Sequence, residues 1–413
     1  MEALSFMAGN LAARNVRAIQ EDGLMSRYRL YPAPRQAAVL LEHCAHARYV
    51  WNLAAEQQTW WTPGRQSAPG FAAQCRQLSE ARAASGWLAA GSVIVQQQAL
   101  RDFDRAMKDF FAGTHRKPGW RKRGRNEGFR IVAVKPGDVR RLNCRWGQVK
   151  VPKIGWMRFR WSRAVPAAKS YRITLDRAGR WHVAFAAIPV PVPGPGTGEI
   201  AGIDRGVKVT LAISDGTTYQ APAPPDFKRQ ARRLARCQRG SNRRQRAKLR
   251  LAKIRARDAN RRKDWAEKAS TTIASQYDVI RIEDLKIKSM TRSAAGTPDE
   301  PGTNVAAKAG LNRSVLGQGW GLFARRLDDK AAGRVEKIPP AYTSQTCSQC
   351  KRRDREARES QAVFRCRACG YCGNADVNAA RNIAAGHAVK ARGGDRVTGP
   401  VKREPQDDLL LAS

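Results

Sequence analysis

The chain has 413 residues and carries 76 Lys and Arg against 35 Asp and Glu, a formal net charge of +41 at pH 7. This excess exceeds what solubility requires and predicts a polyanionic partner, with nucleic acid as the first candidate and ribosome association left open. No segment approaches about eighteen consecutive apolar residues and no lipidation motif is present, so the sequence argues against a membrane protein.

The N-terminal third predicts a strand followed by helices. Residues 1–24 show no convincing period, and we expect a flexible extension there. Alternating apolar residues predict a strand within 25–35, which two prolines end. Helical spacing follows in Leu40, Cys44, Ala47 and Trp51, and again from about Ser92 to Phe111. We therefore expect a helical lobe over 36–115.

Residues 116–190 predict a succession of short strands. Within the segment 156–161, Arg158 and Arg160 share one face, and Met157, Phe159 and Trp161 share the other. Arg and Trp interleaved on strands can bind nucleic acid through charge and base stacking. An amphipathic strand with a solvated basic face explains the pattern about equally well.

A Pro- and Gly-rich linker over 191–198 separates this region from two strands that each end in an acid. The first is Glu199–Asp204, after which we expect a second strand over Val207–Ile213 and a hairpin turn at Asp215 and Gly216. The later strand, Tyr277–Glu283, is apolar enough for a central parallel strand buried on both faces. A strand buried on both faces shows no alternation of apolar and polar residues, so the pattern does not indicate whether Glu283 or Asp284 is the functional acid.

Between these strands, Lys228–Lys263 holds seventeen basic residues against one acid. Its leucines predict helix, turn and helix, broken near Gly240, along a nucleic-acid backbone. The candidate contacts are Arg229, Arg233, Arg243, Arg244, Arg261 and Arg262. Thr291–Lys308 is expected to be a mobile loop, and Trp320, Phe323 and Leu327 predict a helix after it.

Two Cys-x-x-Cys pairs, fifteen residues apart, predict a structural zinc site formed by Cys347, Cys350, Cys366 and Cys369. Two disulfides or four unrelated core cysteines account for this spacing less well, because the chain has no secretory feature. Cys372 has no place in a fourfold site. The remaining cysteines are scattered, as expected in a reducing cytoplasm.

Asp376 follows the zinc motif and opens a segment with helical apolar spacing, where a plain helix cap is the simpler interpretation. Asp204 and Glu283 at strand ends are equally weak signals taken singly. Together, the three acids could converge to hold two Mg²⁺ ions about 4 Å apart, an arrangement that hydrolyses phosphodiesters.

Several phrases resemble the TnpB family, RNA-guided nucleases encoded by insertion sequences and related to compact type V CRISPR effectors. They are YRLYPAPRQ, GIDRGV, IEDLKIKSM, LNRSVLGQGWGLFARRLDDKAAG, PPAYTSQTCSQC and CGYCGNADVNAARNI, in the family's order from about Arg27 to His387. The resemblance implies a RuvC-type site at Asp204, Glu283 and Asp376, which prefers Glu283 to Asp284 and a metal ligand to a helix cap. It also implies two Mg²⁺ or Mn²⁺ ions, structural zinc, a guide RNA from the end of the element and a double-stranded DNA target next to a short motif.

The fold implied by the resemblance is a multidomain α+β protein of a prokaryotic cytoplasm, with a monomer favoured. A β-barrel wedge domain (25–35 and 116–190) contains the helical recognition lobe (36–115). A RuvC-like, ribonuclease-H-like α/β domain (199–342 and 373–387) contains the zinc ribbon (343–372), and a disordered tail covers 388–413. Lys351 departs from the family pattern, which usually has Gly there, and so does Asp329, where an aromatic residue is usual.

Three alternatives stay open. A type V CRISPR effector would use the same chemistry, and a nuclease-silent relative would bind DNA under RNA guidance without cutting it. A zinc-ribbon protein that binds nucleic acid without catalysis would show no dependence on Mg²⁺. Because all three acids are present, we expect cleavage.

Overall fold

The computed structural model describes residues 25–60, 68–186, 190–360 and 362–386. The expected N-terminal extension and C-terminal tail lie outside these ranges. The described residues divide into two compact units, one containing those up to 186 with Gln230–Lys253, the other those of 190–229 and 254–386.

The first unit contains a seven-stranded antiparallel sheet with the order β2-β6-β7-β1-β5-β4-β3. Its strands are β1 (Met25–Tyr31), β2 (Gly128–Val132), β3 (Val139–Arg141), β4 (Trp146–Val151), β5 (Gly155–Arg160), β6 (Ser170–Leu175) and β7 (Trp181–Ala186). The chain between β1 and β2 forms the helices α1 (Pro34–Gln57), α2 (Phe71–Ala84), α3 (Gly86–Ala90) and α4 (Val93–Phe111). Strand β1 and helices α1 and α4 confirm the predicted elements, whereas α2 and α3 were not predicted.

Aromatic side chains on alternate positions of the sheet form the centre of this unit's core. Tyr28 packs edge-on against Phe159 and Phe185, with ring centroids 5.5 and 5.7 Å away. Trp51 of α1 meets Phe103 of α4 at 5.2 Å. Edge-to-face pairs of this kind stabilise a core by about 1 kcal/mol each beyond the burial of their area.

The second unit contains a five-stranded sheet with the order β10-β9-β8-β11-β12. Its strands are β8 (Ile200–Asp204), β9 (Leu211–Ile213), β10 (Thr218–Tyr219), β11 (Val279–Glu283) and β12 (Val335–Ile338). Strand β11 is central and parallel to both β8 and β12, as predicted. The expected strand over Val207–Ile213 is too long, because pairing begins only at Leu211. The hairpin turn is confirmed, and Gly216 has the positive φ of 98° that such a turn needs.

The remaining elements are helices α5 (Lys228–Ala235), α6 (Asn242–Gln276), α7 (Ile287–Met290), α8 (Val305–Gln318), α9 (Trp320–Lys330) and α10 (Ala375–Ala384), and the ribbon strands β13 (Val363–Arg365) and β14 (Cys372–Asn374). Helix, turn and helix in the basic segment and the helix at Trp320 are confirmed. The predicted loop over Thr291–Lys308 is wrong from Val305 onward, where α8 begins. No helix of the described residues is long and apolar enough to cross a membrane.

The two faces of the second sheet differ in chemistry. Ala201, Ile203, Ile280 and Ile282 belong to a buried apolar cluster with residues of α6 and α9. The alternate residues face α10: a Cβ on Gly202 would lie 2.0 Å from the carbonyl oxygen of Ala380, and Arg281 donates to the Ala384 carbonyl. The expected burial of β11 on both faces is confirmed in part: on the face toward α10 Glu283 is buried, whereas Val279 and Arg281 are half-buried. One face forms the core, and the other carries the polar side chains.

Candidate functional site

Two of the predicted acids end neighbouring parallel strands. Asp204 ends β8 and Glu283 ends β11, and the residues just before them, Ile203 and Ile282, are register partners. Both acids alternate with core isoleucines and therefore face α10. Asp284 has the opposite parity, is 43% exposed in its side chain and pairs with Lys286. In the folded chain, Glu283 and Asp284 therefore point to opposite sides of the sheet, and only Glu283 faces α10.

Asp376 lies in the first turn of α10 but does not cap it. The cap is Asn374, whose Oδ1 accepts the backbone N–H groups of Asp376 and Val377, each at 3.0 Å. The helix-cap interpretation of Asp376 is therefore wrong. Its own carboxylate accepts a hydrogen bond from Nη2 of Arg358 at 3.0 Å.

The three carboxyl groups interact electrostatically. Burial, and then the charges of Glu283 and Asp376, raise the pKa of Asp204 to about 8, against the opposing charge of Arg358. Burial likewise raises the pKa of Glu283, although the charge of Arg205 and a hydrogen bond from the Thr343 hydroxyl oppose this shift. Clustered, desolvated carboxylates repel one another, and a bound divalent cation would relieve that repulsion. Their oxygens are the ligands that Mg²⁺ and Mn²⁺ prefer, so the donor set fits these ions.

The carboxylates are spread more widely than the cysteines. Among the described residues, the four zinc-motif cysteines are the one set of three or more His, Cys, Asp or Glu ligand atoms that all lie within 4.8 Å of one another. The charges of Glu283 and Asp376 therefore act on Asp204, but the carboxylate oxygens of the three acids do not all lie within 4.8 Å of one another. The ion pair between Arg358 and Asp376 occupies part of the space beside them.

Sequence analysis missed Arg358 and Arg205. Arg358 lies in the ribbon loop among several basic residues, and no spacing distinguishes it. Arg205 follows Asp204 directly, is 7% exposed, and donates from Nη2 to the main-chain oxygen of Glu283. An Arg next to a strand-end Asp was visible in the sequence, but its burial was not.

The predicted zinc ligands converge. The Sγ atoms of Cys347 and Cys369 are 3.7 Å apart, and those of Cys350 and Cys366 are 3.5 Å apart. A tetrahedral zinc with bonds of about 2.3 Å needs sulfur separations of about 3.8 Å, so the cluster fits this ion. Cys372 lies outside the cluster, exposed on β14.

Two buried asparagines connect the ribbon to α10. Asn378 accepts the N–H of Ser348 and donates to the carbonyl of Thr346, both at 2.8 Å. One turn later, Asn382 donates to the carbonyls of Thr343 and Thr346 at 3.0 and 2.6 Å. Thr343 in turn donates to Oε1 of Glu283 at 3.1 Å. The segment leading into the first zinc knuckle is thereby fixed to the elements that carry Asp376 and Glu283.

On the first sheet, Arg158 and Arg160 are exposed and Met157 and Phe159 are buried, which confirms the predicted faces of β5. Aromatic rings lie on the basic face as well. The guanidinium of Arg160 lies 5.6 Å from the ring of Trp146, and that of Arg140 lies 4.1 Å from the ring of Trp156. These rings hold arginines in cation–π contacts, so the face presents fixed positive charge.

The six arginines predicted on the basic helices fall into two groups. Arg229, Arg233, Arg243 and Arg261 are exposed. Arg244 donates to the carbonyls of Leu234 and Cys237 at 3.0 and 2.9 Å, and Arg262 pairs with Asp258 at 2.6 Å. These two bond within the protein, whereas the first four present their charge to solvent.

The chain is similar to known proteins in both sequence and structure. Family models described as "Helix-turn-helix domain", "Probable transposase" and "Cas12f1-like, TNB domain" match residues 25–66, 183–294 and 320–383. The protein named RNA-guided DNA endonuclease InsQ of Escherichia coli (strain K12) is 37% identical over 397 residues, which cover 92% of this chain and 97% of that protein. A protein of Streptomyces pristinaespiralis, also named RNA-guided DNA endonuclease, is 28% identical over 92% of this chain and 96% of its own length. A solved Cas12f1–sgRNA–target DNA complex is 16% identical, with a TM-score of 0.48, over 84% of this chain and 82% of that chain.

Proposed function

The chain belongs to the TnpB family of RNA-guided DNA endonucleases, and we propose that it hydrolyses phosphodiester bonds of double-stranded DNA selected by a guide RNA in the bacterial cytoplasm. The observation that carries this proposal is geometric: Asp204 and Glu283 end two paired parallel strands, and Asp376 lies in the first turn of the helix that they face. Paired acids at parallel strand ends, facing a helix that brings a third, suit divalent-metal hydrolysis.

The domain assignment follows from the family. We propose that β1–β7 form the wedge domain, with α1–α4 as the recognition lobe inserted after β1. Strands β8–β12 with α10 would form the RuvC-like nuclease domain, with the ribbon of β13 and β14 inserted before α10. The sheet order, with parallel strands β8, β11 and β12 and antiparallel β9 and β10, supports a ribonuclease-H-like arrangement.

Two of the three acids have a supporting side chain in the proposed metal centre. Bound Mg²⁺ or Mn²⁺ would stabilise the charge that develops on the attacking and leaving oxygens of the phosphodiester. Asp204 and Glu283 extend from rigid strand ends, and the Thr343 hydroxyl fixes one oxygen of Glu283. Arg358 forms an ion pair with Asp376 at 3.0 Å, and its guanidinium would also suit a phosphate oxygen of the substrate.

We propose that structural zinc is held by the four cysteines and that its role is positional. The ribbon begins at Thr343, which contacts Glu283, and it is bonded to α10 through Asn378 and Asn382. A ribbon closed by zinc would therefore hold Glu283 and Asp376 in register with one another. Four thiolates leave no open position for a catalytic water.

The nucleic-acid contacts are proposed on two surfaces. One is the basic face of β5, with Arg158 and Arg160, and the other is the exposed part of α5 and α6, with Arg229, Arg233, Arg243 and Arg261. Exposed guanidiniums on both surfaces suit the phosphates of the guide RNA or of the heteroduplex, whose sequence is read by base pairing. Arg244 and Arg262 contribute by holding these helices in shape.

The test compares two adjacent acids. The chain is purified with its RNA, the RNA is sequenced, and a plasmid library with randomised sequence beside the guide-matched target is offered in Mg²⁺. We expect Glu283→Gln and Asp204→Ala to lower cleavage by at least about a thousandfold while guide-dependent DNA binding persists. Asp284→Asn, which changes a neighbouring exposed acid, should cut like the wild type. Full cleavage by Glu283→Gln would refute the site.

A nuclease-silent DNA-binding protein is the rival within the family. It predicts binding without a nicked product in any metal. A type V CRISPR effector shares the chemistry, and the origin of the copurified RNA distinguishes it: a repeat-derived RNA favours the effector, and an RNA from the end of a mobile element favours the nuclease of an insertion sequence.

A further inference from the structure

Arg205 is a buried cation at the acidic strand ends, and the proposed hydrolysis gives it no role. Its residue is 7% exposed, and its charge lies in the field of Glu283, Asp204, Asp284 and Asp328. Its Nη2 donates to the main-chain oxygen of Glu283, whereas its buried Nε has no hydrogen-bond partner among the described residues.

The contact lies where the strand pairing stops. The last register pair between β8 and β11 is Ile203 with Ile282. Asp204 pairs instead with Ala212 of β9, and Glu283 pairs with Ile338 of β12. The Arg205 side chain thus connects the β8 end to the β11 end one residue beyond their own ladder. It holds together the two elements that carry the neighbouring carboxylates.

Burying a guanidinium that lacks some of its hydrogen bonds costs free energy of folding. The negative charges near Arg205 must compensate for this cost. Arg205 offsets part of the repulsion between Asp204 and Glu283 before any cation arrives. The same positive charge must also oppose the binding of a divalent cation to those carboxylates. The two effects have opposite signs and are therefore separable by experiment.

We propose that Arg205 is a positioning residue that joins the two strand ends in the metal-free protein and lowers the affinity of the acidic site for divalent cations. This inference rests on the proposed metal centre. It predicts a protein that folds without Mg²⁺ or Mn²⁺ and takes up the ion reversibly, so that cation binding responds to the charge at position 205.

The experiment measures thermal unfolding of the full chain, with its copurified RNA, against Mn²⁺ concentration. The buffer is freed of divalent ions over a chelating resin, because a soluble chelator would remove thiolate-bound zinc. Asp204→Asn is titrated in parallel to subtract Mn²⁺ bound by the RNA. The readouts are the unfolding temperature without Mn²⁺ and the Mn²⁺ concentration that gives half of the stabilisation.

We expect Arg205→Gln to lower the unfolding temperature without Mn²⁺ and to lower the half-effective Mn²⁺ concentration by about tenfold, because one opposing charge is gone. Lys286→Gln removes a positive charge beside exposed Asp284 and should leave the Mn²⁺ midpoint unchanged. Arg205→Lys keeps the charge but not the planar fork, so its midpoint should stay within about threefold of the wild type while it unfolds earlier without Mn²⁺.

An unchanged Mn²⁺ midpoint in Arg205→Gln, beside a clear wild-type response, overturns the role of Arg205 and leaves the metal centre intact. A wild type that Mn²⁺ does not stabilise beyond Asp204→Asn overturns the metal centre and this inference with it. If Arg205→Gln does not fold, Arg205→Lys gives the answer. An unfolding temperature of Arg205→Lys equal to that of the wild type, both without Mn²⁺, would refute the connection between the strand ends.

Discussion

At the scale of single residues, Lys351 adopts a backbone conformation that suits glycine better. It directly follows Cys350 in the first zinc knuckle, where its φ is 61°, and its N–H donates to the carbonyl of Cys347 at 3.0 Å. A side chain with a Cβ is strained in this left-handed region. The departure from the usual family glycine therefore has an energetic consequence in the knuckle itself.

We predict that Lys351→Gly stabilises the zinc-bound ribbon by about 1 kcal/mol, since glycine removes the Cβ that opposes a positive φ. The measurement is the chelator concentration that releases half of the zinc, which should rise about fivefold. Lys351→Ala removes the same charge but keeps the Cβ, and it should show little gain. An equal gain in both variants would attribute the effect to charge.

Residues also show where sequence reasoning stopped. The four cysteines were predictable, because two Cys-x-x-Cys pairs at that distance are typical of a zinc ribbon. The residue pattern alone did not decide between Glu283 and Asp284, because it does not show that Ile280 and Ile282 face the core. Only the family resemblance favoured Glu283. Arg358 was invisible, because its contact with Asp376 depends on how the ribbon loop folds back.

At the scale of elements, the connection between the ribbon and α10 makes the position of Asp376 depend on residues outside the acidic site. Asn378 and Asn382 point the same way one turn apart and share the Thr346 carbonyl as acceptor. Buried amides bonded in this way hold two elements in one relative position. These bonds therefore connect the ribbon to the helix that carries Asp376.

We predict that Asn378→Ala lowers cleavage at least tenfold and eases zinc release, while guide-dependent DNA binding stays close to that of the wild type. Two hydrogen bonds are lost, each contributing about 1 kcal/mol. Asn312→Ala is the matched control, because its side chain donates to the carbonyls of Thr291 and Arg292 away from the ribbon. The control should lower stability alone. Equal cleavage by the two variants would contradict the positional role of the ribbon.

Element types were predictable where the apolar period was long, as in α1, α4 and β11. The boundaries that failed have local causes. Strand β9 starts only at Leu211, and the backbone N–H of Thr210 donates to the side chain of Gln220 at 3.3 Å instead of to a neighbouring strand. The Ser, Gly and Thr content of Thr291–Lys308 predicted a loop along its whole length. The loop ends before Val305, where helix α8 begins.

At the scale of the whole molecule, the charge of +41 makes nucleic-acid binding strongly dependent on salt. Each arginine that meets a phosphate releases counterions when it binds. The exposed and the internally bonded arginines of the basic helices should therefore differ in their contribution to the salt slope. Arg243 and Arg244 are adjacent in sequence and belong to different groups.

We predict that Arg243→Gln makes the plot of log affinity for the guide RNA against log salt less steep by about 0.7 to 0.9. Arg244→Gln should leave the slope unchanged and lower the unfolding temperature, because it loses its bonds to the end of α5. Fluorescence anisotropy with labelled guide RNA at several salt concentrations measures the first effect. A slope that changes equally in both variants would contradict the division into two groups.

The strict alternation along β8 joins two requirements in five residues. Ala201 and Ile203 pack in the apolar core, while Gly202 allows the close approach of α10 and Asp204 faces the same side as Gly202. A shift of β8 by one residue against β11 would turn every β8 side chain to the other face of the sheet. Asp204 would then lie in the apolar core, and an isoleucine would take its place beside Glu283. One strand register therefore serves both the stability of the core and the position of the acid.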